Sequence, residues 1–554
     1  MRILRPDSLR ACLLCASLYG VACDRSVDSG RPSDTGVQDR AVDVEVKTSP
    51  AAACAVDAGI AGRFSTWSAG AAFAEQPPSG PGSEGGWGLA VDDFNGDGWL
   101  DLFLPHWGSA QLFLGGEAGV FSDASAGLPQ TAHDSYGAVA GDLDGDGDID
   151  LILGNEGPNA VWLNRGDGSF TELDDPFGLG PNDPGRQTHS QALGDLDGDG
   201  DLDLFGVTGF GLVGGNGDDA EDWAAERNEL FLNRGDGTFD DASERFSLVQ
   251  PIPGQSGGFF DVNGDGHLDV YATPDKVNEG RSCEIFYGSG DGSLTVRDDD
   301  GGLDVAVDGM GVAEGDLNGD GVVDFVISGW NELVLMLSAG DGWWAESAVP
   351  HGLVTDAERV VGWAVELQDL DNDADLDLLA AYGPDYDHNG AIGGGAAENP
   401  VVQRWGYYVN EGDAFVEAAS ERGLYTAGNR RGFVLADLDR DGNLDLVARD
   451  LEGAATVHRG GCTDHDWLTV RLTQPGPNPR AIGAQIAVHL EDGRVLRRWI
   501  RAGSTGIASS TPPIAHVGLG TGARIDHIRI DWPDGRYSEL VPESVRGHLQ
   551  VTRR

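Results

Sequence analysis

One nine-residue pattern recurs seven times between Asp93 and Asp445, and it constrains the fold more than any other feature of this 554-residue chain. Each copy has Asp or Asn at positions one, three and five, an apolar residue at position eight and Asp at position nine. A hard cation such as Ca²⁺ requires six to eight oxygen ligands, and alternating carboxylates and amides in a tight loop supply them. The sequence therefore predicts about seven calcium sites whose main role is to hold the scaffold together.

The predicted metal ligands occupy positions one, three, five and nine of loops 1 to 7. They are Asp93, Asn95, Asp97 and Asp101; Asp142, Asp144, Asp146 and Asp150; Asp195, Asp197, Asp199 and Asp203; Asp261, Asn263, Asp265 and Asp269; Asp316, Asn318, Asp320 and Asp324; Asp369, Asp371, Asp373 and Asp377; and Asp437, Asp439, Asp441 and Asp445.

Loops 6 and 7 depart from the pattern at the positions where a sharp turn favours glycine. Position six is Gly in the other loops but Ala374 in loop 6, and position four is Asn372 in loop 6 and Arg440 in loop 7. We expect these two sites to bind the cation more weakly.

The spacing and the flanking segments of the loops predict the architecture. The loops recur every 49 to 68 residues, a period typical of repeat folds. An apolar strand precedes each loop, a second strand follows it, and Gly-Asp-Gly turns mark a hairpin after that. Four short antiparallel strands in each of seven repeats predict an all-β chain, a seven-bladed β-propeller with calcium loops.

Two sets of residues support radial packing of these repeats. The residue five positions before the first Asp of each loop is always small, as expected for innermost strands that crowd around an axis. These residues are Gly88, Gly137, Ser190, Ser256, Gly311, Ala364 and Gly432. The segment 62–67 resembles the end of a repeat, so we expect it to supply the outer strand of the last blade.

The residue six positions before the first Asp of each loop is large, and its chemical type differs from loop to loop. These residues would begin the innermost strands. They form a candidate ligand ring: Trp87, Tyr136, His189, Gln255, Met310, Trp363 and Arg431. Aromatic and polar groups at the axis could grip a ligand. The alternative is that these side chains only fill the channel.

The repeats resemble FG-GAP/VCBS repeats, the calcium-loop propeller repeats also found in integrin α chains. The rest resembles an ASPIC/UnbV domain through Asp466-Trp-Leu-Thr-Val-Arg-Leu472, Asn478-Pro-Arg-Ala-Ile-Gly-Ala484, Ala502-Gly-Ser-Thr505, His516-Val-Gly-Leu-Gly520 and Ile530-Asp-Trp-Pro-Asp-Gly535. This order is similar to the cartilage acidic protein-like family, with many bacterial members. The resemblance implies architecture more than activity; it leaves the roles of Arg480, Arg501 and His516 open.

The chain divides into four predicted regions. Residues 1–23 are a lipoprotein-type signal peptide ending at Cys23, the expected lipidation site, with plain secretion as the alternative. Residues 24–58 read as a flexible tether. Residues 59–461 form the propeller, and residues 462–554 form a small antiparallel β domain with alternating apolar and polar residues.

Cysteine positions predict a disulfide in an exported protein. Cys54 precedes the first repeat and Cys462 follows the last, so closure of the repeats into a ring would bring them together. Cys283 is then left over, buried and free, as the plain reading of an odd cysteine.

Charge limits the partners. Asp and Glu number 92 against 36 Lys and Arg, a formal net charge of −56. Because nucleic-acid affinity rests on Lys and Arg, this balance excludes nucleic acid. The C-terminal region carries an excess of Arg, which favours its docking onto the acidic propeller. Contact with a membrane is expected only through the lipid anchor.

These observations predict an exported protein of the bacterial cell envelope. Its expected task is to present a rigid surface that binds a protein or carbohydrate partner. The alternative is an enzyme with an axial or interdomain pocket, in which calcium is structural or a Lewis acid. A filled axis would favour the binding protein, and an open axial pocket with convergent polar groups would favour the enzyme.

Overall fold

The computed structural model describes residues 41–54, 61–67, 86–131, 133–180, 186–212, 223–225, 227–246, 254–274, 282–297, 300–340, 342–354, 360–384, 403–412, 414–451, 453–503, 506 and 508–554. In these ranges β-strands are the dominant secondary structure, as predicted. The described helices are short 3₁₀ turns at Glu117–Gly119, Ser125–Gly127 and Ser243–Phe246. None of the described helices has the length and apolar character needed to cross a bilayer.

Each acidic loop joins the first two strands of a four-stranded antiparallel group, here called sheets 1 to 7. Their strands are, for sheet 1, Ala90–Asp92, Asp101–His106, Ser109–Leu114 and Ser122–Asp123; for sheet 2, Ser135–Gly141, Asp150–Gly157, Ala160–Asn164 and Phe170–Glu172; for sheet 3, Arg186–Gly194, Asp203–Thr208, Glu229–Asn233 and Phe239–Asp241; for sheet 4, Gly254–Phe260, Asp269–Pro274, Glu284–Gly288 and Leu294–Thr295; for sheet 5, Gly309–Gly315, Asp324–Gly329, Leu333–Gly340 and Trp343–Glu346; for sheet 6, Gly362–Gln368, Asp377–Tyr382, Gly406–Asn410 and Phe415–Glu417; and for sheet 7, Arg430–Ala436, Asp445–Asp450, Thr456–Arg459 and Ser65–Thr66. Two further strand pairs are Phe210–Leu212 with Trp223–Ala225, and Gln403–Arg404 with Ala427–Gly428.

The fourth strand of sheet 7 comes from the beginning of the repeat region. Ser65 pairs with Arg459 and Thr66 with His458, although almost 400 residues separate them. The expectation that segment 62–67 supplies this outer strand is confirmed.

Apolar side chains fill the space between consecutive sheets. One buried cluster lies between each pair of neighbours from sheets 1 and 2 to sheets 6 and 7. A seventh cluster packs Leu89 and Leu102 of the first repeat against Val434 and Val447 of the last. Each sheet therefore buries both faces against neighbours, which explains the nearly continuous apolar character of its central strands.

The C-terminal region forms two four-stranded sheets around its own apolar core. Their strands, in spatial order, are Val44–Ser49, Arg546–Arg553, Asp466–Thr473 and Ile514–Gly520 in one sheet, and Val495–Trp499, Gln485–Leu490, Ile525–Asp531 and Tyr537–Leu540 in the other. The half-buried antiparallel pattern predicted for this region agrees with this arrangement, apart from one parallel pair, Asp466–Thr473 with Arg546–Arg553.

One part of the predicted tether needs correction. Val44–Ser49, inside the region 24–58, is an edge strand that pairs along its whole length with Arg546–Arg553. Val42 and Val44 pack against the core of the C-terminal domain. Polar composition suggested a tether, but an edge strand needs only backbone pairing and one apolar face. Within the region 24–58, residues 24–40 and 55–58 lie outside the described residues.

A segment of the C-terminal domain inserts among the first strands of the seven sheets. Ala502–Gly503 pairs with Leu193 and Ala192 of sheet 3, and the Ser510 amide donates to the Leu89 carbonyl at 2.8 Å. A β-carbon at Gly88 or Gly137 would collide with the backbone of Ala508. The small residues before the loops thus make room for this segment, rather than only for one another as the sequence suggested.

Candidate functional site

All seven loops share one backbone conformation. Positions four and six have positive φ in every copy, from 61° at Asn372 to 100° at Gly200. The same sequence of turns therefore forms even where Asn372, Ala374 and Arg440 replace glycine. In loops 2 and 3 this conformation brings carboxylate oxygens of positions one, three and five together, as ligand loops require.

Hydrogen bonds inside the loops orient the acidic and amide side chains. In loop 1 the amide of Gly98 donates to Asp93 Oδ2 at 2.9 Å, the amide of Asp97 to Asn95 Oδ1 at 3.0 Å, and the amide of Trp99 to Asp97 Oδ1 at 2.9 Å. Equivalent position-seven amides donate to position five in the other six loops. Each carboxylate keeps further lone pairs for another ligand.

The position-nine carboxylates fasten each loop to its own sheet. In loop 2, Asp150 accepts the Leu143 amide at 2.8 Å and the Asn164 amide at 2.7 Å, so it joins the loop to the third strand. The same two bonds recur at the other six position-nine residues. Position nine is thus structural whether or not it also binds a cation.

Burial makes the charged form of these carboxyls costly. Desolvation raises the pKa of position nine to about 7 at Asp101, Asp269 and Asp324 and to about 8 at Asp150 and Asp203. It raises the pKa of position one to about 6 at Asp142, Asp195 and Asp261. A bound cation would offset this desolvation and favour the ionised form.

The donor set fits a hard divalent cation. In four loops, three carboxylate oxygens lie within 4.8 Å of one another: Asp142, Asp144 and Asp146; Asp195, Asp197 and Asp199; Asp369, Asp371 and Asp377; and Asp437, Asp439 and Asp445. Among the described residues, one buried oxygen each of Asp93, Asp316, Asp371 and Asp441 has no hydrogen-bond partner. Such buried carboxylate oxygens call for a compensating group.

The residues at position four of loops 6 and 7, Asn372 and Arg440, contact the C-terminal domain. Asn372 Oδ1 is 2.7 Å from His516 Nε2, and the Asn372 carbonyl accepts the Gly520 amide at 2.8 Å. The Arg440 carbonyl is 3.1 Å from His548 Nε2. The departures from glycine at position four therefore coincide with interdomain contacts, and at Asn372 the side chain itself makes one.

Ala374→Gly is expected to raise the free energy of unfolding by about 0.5–1 kcal/mol, because Ala374 has a φ of 87° that glycine adopts without strain. Urea denaturation at saturating calcium measures the change. The matched control is Gly147→Ala at the same position of loop 2, where a β-carbon meets no atom within 4 Å and only the φ of 96° is unfavourable. That variant should lose a similar amount; a less stable Ala374→Gly protein would contradict the strain argument.

Arginines of the C-terminal domain contact acidic residues in or next to the loops. Arg497 lies 2.8 Å from Asp316 Oδ2, and Arg471 lies 3.5 Å from Asp93 Oδ2. Arg501 lies 2.7 Å from Glu314, two residues before loop 5. The expected docking of the basic C-terminal region onto the acidic repeats is thus made by specific ion pairs. The sequence predicted the attraction between opposite charges but not which residues would pair.

The seven candidate ring residues come together and pack tightly. The rings of Trp87 and Tyr136 have centroids 4.6 Å apart, and the Arg431 guanidinium lies 3.8 Å from the centre of the Trp363 ring. The remaining members, His189, Gln255 and Met310, are buried, with His189 against Trp87 and Tyr136 and with Met310 in the same cluster as Trp363. Except for the partly exposed Trp87, these side chains fill the space between them.

The structure joins Cys54 to Cys462, the pair expected from the sequence, with Cα atoms 5.9 Å apart. Cys283 is buried with a free thiol, and burial raises its pKa to about 12. The predicted lipidation residue Cys23 and the signal peptide lie outside the described residues.

A cavity of about 470 Å³ lies between the loops and the C-terminal domain. Loops 1 and 7 form one wall, and the opposite wall includes Trp499, Arg501 and His516. None of the ring residues lines it. Sequence reasoning named His516 and Arg501 but could not place them in a common space.

Both the repeat region and the C-terminal region match known protein families. The family described as FG-GAP-like repeat matches residues 93–153, 142–206, 215–272, 261–327 and 316–380. The family described as ASPIC and UnbV matches residues 474–554.

Among individual proteins, cartilage acidic protein 1 of Homo sapiens is 30% identical over 272 residues, 47% of this chain and 38% of that protein. The match thus spans about two fifths of the relative's length. Two solved structures are also similar. A lectin of Agrocybe aegerita that recognises non-reducing terminal N-acetylglucosamine has 17% identity and a TM-score of 0.36, covering 68% of this chain and 91% of the lectin. PorZ, a surface component of the type-IX secretion system of Porphyromonas gingivalis, has 12% identity and a TM-score of 0.39, covering 86% of this chain and 60% of PorZ.

Proposed function

The chain belongs to the family of FG-GAP-repeat proteins with a C-terminal ASPIC and UnbV domain, that of cartilage acidic protein 1, and we propose that it is a calcium-stabilised seven-bladed β-propeller that acts as a binding protein at the cell envelope. The partner is a protein or a carbohydrate. The observation that carries this proposal is the sevenfold repetition of one ligand loop with the same left-handed turns and buried carboxylates.

The propeller is supported by the packing of the sheets. Seven apolar clusters occur for seven pairs of neighbours, and one of them joins the first repeat to the last. The outer strand of sheet 7 is Ser65–Thr66, so the two ends of the repeat region share a sheet. Such a closure covers the apolar sheet faces that the first and last repeats of an open array would expose.

Calcium would be held by positions one, three, five and nine of each loop, with a backbone carbonyl expected at position seven. When bound, the ion supplies positive charge that offsets the mutual repulsion of the carboxylates. The protein's own groups orient the ligands: the amides of positions six and seven fix the carboxylates of positions one and five. The resulting scaffold would be rigid, as a surface for partner binding needs to be.

Export and anchoring rest on separate features. The Cys54–Cys462 disulfide suits an oxidising compartment, and the sequence ending at Cys23 suits a lipoprotein signal. We propose a lipoprotein of the bacterial cell envelope, with secretion as the alternative.

A binding role is favoured over catalysis by the filled axis. Tyr136, His189, Met310, Trp363 and Arg431 are all at most 5% exposed and contact one another instead of lining a pocket. Burial also lowers the pKa of His189 to about 4, which keeps it neutral at physiological pH. An axial active site is therefore not supported by this geometry.

Calcium counting tests the metal part of this proposal. Equilibrium dialysis with radioactive calcium should give about seven ions per chain, and the Asp142→Ala/Asp144→Ala variant should bind one fewer, because both carboxylates belong to the loop 2 cluster. Asp167→Ala is the matched control, since Asp167 lies in an exposed hairpin turn of the same sheet. An unchanged count in the loop 2 variant, or no bound calcium in the wild-type protein, would contradict the proposal.

The partner class is tested by protein and glycan arrays probed with the calcium-loaded protein and, in parallel, with chelator-treated protein. Binding to a defined protein or glycan that is lost with the chelator supports the binding role. Absence of binding on both arrays would contradict it.

A further inference from the structure

The cavity between the loops and the C-terminal domain has the dimensions of a ligand site. Its volume is about 470 Å³, within the range of about 300–1,000 Å³ that small-molecule sites occupy. Its lining includes the exposed residues Gly96, Asp97 and Gln550, so the cavity reaches the surface beside loop 1.

Two polar groups of the wall are buried without a hydrogen-bond partner among the described residues. These are Nδ1 of His516 and Nη1 of Arg501. His516 is only 4% exposed and lies 2.7 Å from Asn372 Oδ1 through Nε2, so Nε2 carries the proton and Nδ1 is an acceptor. Burial lowers its pKa to about 3, which keeps the ring neutral. The cavity thus offers one free acceptor and one free donor that the proposed metal ligands do not include.

Apolar residues complete the wall. Trp499 is partly exposed, and Pro512, Pro513 and Ile514 line the cavity beside it. Thr511 adds a hydroxyl. A ligand that suits this wall has an apolar face for the indole and several groups that both donate and accept hydrogen bonds.

We propose that this interdomain cavity binds a small neutral carbohydrate, a mono- or disaccharide or the end of a longer glycan. A sugar hydroxyl can donate to His516 Nδ1, a neighbouring hydroxyl can accept from Arg501 Nη1, and the C–H face of the ring can pack on Trp499. Because arginines (Arg440, Arg471 and Arg501) and carboxylates (Asp93, Asp97 and Asp437) both line the cavity, neither a simple anion nor a simple cation suits it as well as a neutral ligand. This inference rests on the proposed function, because it selects carbohydrate over protein as the partner class for this site.

The test uses the full mature protein saturated with calcium. The probes are the methyl glycosides of glucose, galactose, mannose and N-acetylglucosamine, each titrated at millimolar concentrations with tryptophan fluorescence and saturation-transfer NMR as readouts. At least one glycoside is expected to bind.

His516→Gln is the critical variant. The glutamine amide can still donate to Asn372 Oδ1, while the Nδ1 acceptor is removed, so affinity should fall at least about tenfold with the melting temperature nearly unchanged. Trp499→Leu, which keeps an apolar side chain but removes the aromatic face, should cause a comparable loss. The matched control is His489→Gln, since His489 stacks on His527 outside the cavity and its loss should leave binding unchanged.

Absence of binding by all four glycosides would overturn the inference, and so would equal affinity in the wild-type, His516→Gln and Trp499→Leu proteins. Calcium counting and array binding remain independent of this result. A protein that binds seven calcium ions and a protein partner but no glycoside would retain the proposed function and lose only the carbohydrate site.

Discussion

Addition of EDTA is expected to lower the melting temperature of the purified protein by at least about 10 °C. A ligand present at 100 times its Kd stabilises the folded state by about 2.7 kcal/mol per site, and each loop that binds calcium as proposed would add such a contribution. Without the cation, carboxylates such as Asp150 and Asp203 remain desolvated beside other acidic groups, which is why their pKa is raised to about 8. Differential scanning calorimetry measures the effect.

The control for chelation is EDTA already saturated with calcium, which should leave the melting temperature unchanged. Returning excess Ca²⁺ should restore stability. Mg²⁺ should restore less, because it demands near-octahedral geometry and retains its waters. Equal melting temperatures with and without EDTA would show that the loops are held by their own hydrogen bonds and would remove the central premise of the proposed function.

Loss of the Cys54–Cys462 disulfide is the second large effect. The bond closes a segment of 408 residues. Because loss of a native disulfide typically costs about 2–5 kcal/mol, with long loops toward the upper end, the Cys54→Ser/Cys462→Ser variant should lower the free energy of unfolding by about 4 kcal/mol. It should also loosen the N-terminal segment, because Cys54 lies five residues after the edge strand Val44–Ser49. Urea denaturation with calcium present measures the change.

Reduction offers a check on the same bond. Dithiothreitol should destabilise the wild-type protein by an amount similar to the double substitution and should have no effect on the double variant. Cys283→Ala is the control, since its buried free thiol takes no part in the bond and its sensitivity to reductant should persist. If dithiothreitol leaves the stability of the wild-type protein unchanged, the disulfide contributes nothing to the free energy of unfolding.

The repeat architecture was accessible from the sequence because its signals are local and are repeated. In each loop the ligand pattern lies within nine residues, and the hydrogen bonds observed in loop 1, such as Trp99 to Asp97, span two. Counting the repeats then allowed two long-range pairings to be inferred, that of segment 62–67 with the last sheet and that of Cys54 with Cys462. Both were expected because the repeats were predicted to close into a ring, and segment 62–67 also resembles the end of a repeat.

For the docking of the C-terminal domain, the sequence predicted only that a basic region would contact the acidic repeats. Excess arginine pointed toward the acidic repeats, yet Arg497 pairs with Asp316 across 181 positions and His516 contacts Asn372 across 144. No local pattern encodes such partners. The strand Val44–Ser49 was missed for a similar reason, because its pairing depends on a free edge at Arg546–Arg553.

By itself, the sequence determined the loops, the strand order and the small residues that precede each loop, since each depends on neighbours in the chain. Only the tertiary structure decided what those small residues face, because the inserted segment with Ala502–Gly503 and Ala508 comes from more than 300 positions away. It also created the interdomain cavity, whose walls meet only after both domains have folded and packed. Features that depend on residues close in the chain can be inferred from the sequence. Contacts between distant segments depend on the complementarity of surfaces that form only when the chain folds.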